Sequence, residues 1–219
     1  MTENKWIPQE LISLTSDITD DVIYTVLQQL NTNHSKIKKA NGISCRTVII
    51  KGLLAEAGIE IRFKQQREGF RVYANKLCES TRQRLIDTMG TDFTGKKLNY
   101  EPNKEWLFDM IWCIDDNEYG LESLELAVEC EWLHKRDKKD EYGHIKYDFQ
   151  KLLVATTRLC IMIFKWKEND EPLDNFGNEL NDYFEKAILN FKPKIQDKKI
   201  LCIGYSCDFD HFTYKLFDC

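Results

Sequence analysis

Hydrophobic positions recur first at helical and later at strand spacing, and the change of period falls near residue 105. Val22, Ile23, Val26, Leu27 and Leu30 share one face of a helix over 19–31, which Thr19-Asp20-Asp21 starts with an N-cap and an acidic first turn. A basic, glycine-containing link over 33–42 leads to a second helix over 44–57, closed by Gly58. Residues 59–63 and 70–73 have strand character, and 64–69 between them makes a hairpin. A third helix over 74–89 stops at Gly90 and passes into a polar connection containing Gly95 and Pro102.

Beyond it, two segments rich in aromatic and branched residues, 105–114 and 124–132, are predicted strands joined by a turn over 115–120. A charged loop over 134–141 precedes a helix over 147–157, whose apolar stripe is Ile145, Phe149, Leu152, Leu153 and Thr156. A strand over 159–165, a loop with Pro172, a helix over 176–191 and a terminal hairpin of 199–205 with 212–217 complete the chain. This order of elements predicts an α/β fold with a mixed sheet.

The 219 residues, 42% apolar and 12% aromatic, suffice for one sizeable core and exclude a disordered chain. The longest apolar run, Leu159–Phe164, is too short to span a bilayer, and Met1-Thr2-Glu3-Asn4-Lys5 lacks the pattern of a secretion signal. A cytoplasmic protein with no membrane partner is expected. Its eight cysteines include no CxxC pair, and Cys130, His134 and His144 lack a well-spaced fourth zinc ligand. Reduced, mostly buried thiols fit that compartment.

Acidic residues carry the chemistry. Strand alternation puts Glu129 and Glu131 on one side of their strand, and Glu105, Leu107 and Asp109 on one side of theirs. If the strands pair, three or four carboxylates meet at one sheet end. Such a set suits Mg²⁺, or Mn²⁺, because a hard cation takes oxygen ligands and keeps several waters. The competing reading treats these acids as solvent-facing positions of an amphipathic sheet.

Asp109, the Glu129-x-Glu131 pair, the helix carrying Asp148-Phe149-Gln150-Lys151 and the strand after it resemble the core of the PD-(D/E)xK nuclease superfamily. The resemblance covers residues 74–165. It implies a restriction-endonuclease-like mixed β-sheet flanked by helices over 74–219, with residues 1–73 as a basic α/β extension. It further implies a metal-dependent nuclease, with DNA as the expected nucleic acid and a homodimer as a common working form. In that superfamily a strand aspartate and the first acid of the next strand hold the metal, here Asp109 and Glu129, with Glu105 as a further acid. The third position, usually lysine, is Glu131. A known variation puts the lysine on the following helix, which makes Lys151 a candidate although it projects away from the apolar stripe; Asp148 and Gln150 lie on its flanks. A relative that has lost catalysis and only binds nucleic acid or a protein is the alternative.

Charge is unevenly spread. Residues 31–76 hold ten basic side chains against three acidic ones, a net +7, so the overall −5 leaves −12 elsewhere. Lys36, Lys38 and Lys39 in the link, and Lys135 and Arg136 in the 134–141 loop, are the candidate phosphate contacts. Residues 1–73 fit either a winged-helix-like reader, with the 44–57 helix for a groove and 64–69 as the wing, or an extension of the nuclease core. Reversing Lys36, Lys38 and Lys39 to glutamate is expected to lower both nucleic-acid affinity and its salt slope, because each neutralised phosphate releases condensed counterions. A slope equal to wild type in a salt titration would remove these lysines from the binding surface.

Overall fold

The computed structural model describes residues 18–104, 106–116, 120–132, 142–166, 178–191, 197–206 and 211–219. Its elements are α1 (Ile18–Thr32), α2 (His34–Lys39), α3 (Ile43–Gln65), β1 (Phe70–Ala74), α4 (Glu79–Met89), β2 (Met110–Asp116), β3 (Gly120–Glu131), α5 (Gly143–Val154), β4 (Leu159–Trp166), α6 (Asn178–Phe191), β5 (Lys199–Ser206) and β6 (His211–Asp218). Helices flank one six-stranded sheet of order β1-β2-β3-β4-β5-β6. It is mixed: β1–β2 and β5–β6 are antiparallel, β4–β5 parallel. The predicted α/β class is therefore observed. The described chain divides into two compact units, one up to Ala127 and one from Val128 onward.

In the first unit α3 is the organising element, packing against α1, α2, α4 and β1. It overturns the expected hairpin. Residues 59–63 continue the helix that begins at Ile43, and β1 pairs instead with β2, Phe70 opposite Ile114 through Ala74 opposite Met110. The helix passes through Gly58 because that glycine serves packing, not termination. A Cβ there would lie 2.7 Å from Val72 Cγ2 and 3.2 Å from the Trp112 ring, so its absence lets the helix sit close on the sheet. Trp112 in turn meets Phe70 edge-on, with ring centroids 5.8 Å apart. Without the hairpin, the 64–69 wing is the end of α3 and its turn, capped by Gln66 in the left-handed region. The expected link over 33–42 contains α2, and the third helix starts at Glu79, later than expected.

The second unit is built on near-continuous apolar strands. β4 is buried along almost its whole length, as expected of an inner strand covered on both faces. The helices α5 and α6 pack together through Phe149 and Phe184, with centroids 4.3 Å apart, and Phe184 also meets Phe164 of β4. The α5 C-terminus lacks a glycine cap. Lys198, 1% exposed, donates to the carbonyls of Leu152, Leu153 and Ala155 at 2.8, 3.1 and 2.7 Å, placing a positive charge at the helix C-terminus, where the last carbonyls gather. The terminal hairpin forms as expected, Lys199 opposite Asp218 through Ser206 opposite His211. Cys113, Cys130, Cys160 and Cys202 are buried, and burial pushes the Cys113 and Cys160 thiols up to about 12.

The close approach at Gly58 gives a direct test. Gly58→Ala is expected to destabilise the fold by about 1–2 kcal/mol in urea denaturation, because overpacking against Val72 and Trp112 exceeds the roughly 1 kcal/mol that alanine gains in a helix. A more stable variant would mean that the helix and sheet part easily at this point.

Candidate functional site

Glu129 sits well inside β3 and is only 2% exposed. A carboxylate so placed needs a cation, since isolated buried charge is costly. α5 supplies it. His144, Asp148 and Lys151 recur at helical spacing along one flank, turned away from the stripe formed by Ile145, Phe149, Leu152 and Leu153. From that flank the Lys151 ammonium forms a close ion pair with Glu129 Oε1 and lies 3.3 Å from Asp148 Oδ1. Burial by itself would lower the Lys151 pKa; the hydrogen bond and charge of Glu129, then Asp148, raise it overall. Lys151 is therefore charged at neutral pH. Its contribution to stability is full below the ordinary lysine value of 10.5 and is lost as pH rises through the raised folded value. On the same helix flank, His144 Nδ1 is 3.9 Å from Glu131 Oε2, a charge contact when the imidazole is protonated.

Asp109 belongs to the first unit and lies in the bend immediately before β2, not within a strand. The strand parity expected to align it with Glu105 and Leu107 therefore does not apply, and Leu107 is exposed. Glu105 is outside the described residues. Asp109 is gripped by a side chain that no motif pointed to. Lys51 Nζ, in α3, is 2.9 Å from Asp109 Oδ1 and also donates to Asn75 Oδ1 and, at 3.4 Å, to the Asn75 carbonyl. The one signal available was a lysine inside the apolar run Val48-Ile49-Ile50-Lys51-Gly52-Leu53-Leu54, where a buried charge requires a partner.

Several expected contributors lie elsewhere. Gln150 donates to the Tyr183 hydroxyl at 2.7 Å. Lys36, Lys38 and Lys39 are exposed on α2, around the buried Ile37. Lys135 and Arg136 fall outside the described residues. The +7 of residues 31–76 is not all surface charge. Lys51, Arg62 and Arg71 are buried, Arg62 donating to the carbonyls of Thr88 and Thr91 and Arg71 to that of Phe70. Arg67 is paired with Glu125 at 2.5 Å. Arginine reaches such carbonyls because its planar fork presents several donors at once.

Comparison with known family models, curated proteins and solved structures found no match to this chain. Among the described residues, no group of three or more His, Cys, Asp or Glu side chains is placed to hold a metal ion. Two carboxylates do converge, Glu129 and Asp148, on one positive charge. Oxygen donors in that number fit Mg²⁺, which binds through one or two carboxylates and otherwise keeps water or substrate oxygens.

The buried pair makes a stability prediction. Lys151→Met is expected to cost about 3 kcal/mol, because Glu129 loses its ammonium, while adding Glu129→Gln recovers most of that loss. Urea denaturation of the two single variants and the double variant measures the coupling; purely additive losses would show that the pair is not coupled.

Proposed function

We propose that this protein is a metal-dependent nuclease of restriction-endonuclease-like fold, hydrolysing phosphodiester bonds of nucleic acid, with DNA as its substrate. The observation that carries this reading is the reach of Lys151 from α5 to Glu129 and Asp148. It favours the helix-borne lysine of the PD-(D/E)xK pattern, and so makes sense of the glutamate at position 131.

In this reading Glu129, with Asp148 beside it, would hold Mg²⁺ or Mn²⁺. The ion, when bound, lowers the pKa of a coordinated water and offsets charge on the scissile phosphate. The residues of the chain do the rest. Lys151 is charged and partly exposed, so it orients an anionic group near Glu129 and does not itself remove a proton. Glu131 keeps one side toward solvent and accepts the proton from the nucleophile, with His144 next to it to steady the charge. The exposed lysines of α2 supply phosphate contacts away from the acids.

One observation favours the alternative of a binding protein without catalysis. The Asp109 oxygen expected to face a metal instead faces Lys51. Incubation with a panel of DNA and RNA substrates separates the two readings. With Mg²⁺ or Mn²⁺ the wild type is expected to cleave, and Glu129→Gln and Lys151→Met to lose at least about a hundredfold in rate, the scale of removing one group from a charge-stabilising site. Binding without cleavage across the panel would establish the alternative.

A further inference from the structure

Between α2, α3 and α4 lies a cavity of about 400 Å³, a size that small-ligand sites commonly have. Its floor is one face of α3, where Val48, Ile49 and Leu53 surround Gly52. Gly52 is also where the start of α4 comes close, since a Cβ there would lie 3.2 Å from Thr81 Oγ1. With no side chain at this position, Val48 and Ile49 stay half-buried and their apolar surface faces the cavity. Two turns along α3 from Val48, Glu56 accepts from Arg84 Nε at 2.5 Å, so the acid that lines the cavity is already neutralised.

The remaining charge has one sign. Lys36 of α2 lines the cavity, is exposed, and has no acidic partner among the described residues. Lys39 is its neighbour one helical turn on, and no acid occurs between residues 33 and 55. On the α4 side, the Ser80 and Thr81 hydroxyls add hydrogen-bonding groups. An apolar floor with a polar edge and cations at its border suits a flat ring that carries polar atoms and is joined to phosphates. A base within a duplex is stacked and paired, so only an unpaired one can enter such a space. We infer that the cavity receives one unpaired base of a nucleic acid, while the phosphates beside that base meet Lys36 and Lys39. The inference rests on nucleic acid being the substrate, and it narrows that substrate to strands with an unpaired base at an end, a bulge or a single-stranded stretch.

Fluorescence anisotropy of the full chain tests this, without divalent metal so that binding is read apart from cleavage. The probes are a labelled duplex with a single bulged base and the same duplex fully paired. The wild type is expected to bind the bulged duplex about tenfold more tightly, the scale of one well-seated base. Val48→Trp, which fills the cavity, is expected to bind both duplexes alike, at the wild-type affinity for the paired one. Ile49→Phe takes its place if circular dichroism shows that Val48→Trp does not fold. Lys36→Gln is expected to weaken binding of both probes and to lower the salt slope by about one, as for the loss of one phosphate contact. Free nucleoside monophosphates, which bring a single phosphate, are expected to bind more weakly than the bulged duplex. Equal wild-type affinity for the two duplexes, or a preference that survives in the filled variant, overturns the inference. So does a Lys36→Gln slope equal to wild type, or a monophosphate bound as tightly as the bulged duplex. The nuclease reading stands in each of those cases, because it requires only that nucleic acid be bound. Absence of wild-type binding to either duplex removes that reading and the inference with it.

Discussion

Buried charge is the constraint on which the rest of this structure turns. Glu129 in β3 and Lys51 in α3 are both almost wholly shielded from water, and neither is tolerable without an opposite charge. Each finds it on another element, Glu129 on α5 and Lys51 in the bend before β2. Such pairs add little net stability over well-packed apolar residues, but they penalise any arrangement that separates the partners. They therefore hold each helix against the segment that carries its partner.

A second set of buried cations does structural work alone. Lys198 ends α5 by satisfying three carbonyls, and Arg62 does the same for the carbonyls of Thr88 and Thr91 around the end of α4. Both replace local capping with a long-range side chain, which ties a helix end to a distant part of its own unit. These residues also show why net charge by segment is a poor guide to surface. Part of the basic excess of residues 31–76 faces inward, at Lys51, Arg62 and Arg71, while the lysines of α2 are exposed.

The acids and lysines divide in how readily they can be found. Glu129 and Glu131 stand out by strand alternation, and Lys151 by its place on the following helix. Lys151 points away from the apolar stripe of α5, yet its four-carbon stem spans the distance to Glu129. Helical angle alone underrates such a side chain. Lys51 gives only the weak signal of a charge within an apolar run, because its partner is 58 residues away and no local pattern encodes that separation.

What the sequence by itself determined is whatever depends on short-range period: α1, β4, the terminal hairpin, the α/β class, and the acidic character of the segment around Glu129. Tertiary structure decided the rest. Residues 59–63 carry strand-like alternation, but Gly58 lets α3 continue across Val72 and Trp112, and the burial gained there outweighs local preference. Once that helix runs on, β1 has only β2 to pair with, and Asp109 falls in the bend where Lys51 can reach it. Periodicity reports which face of an element is apolar; only packing reports which face of another element it meets.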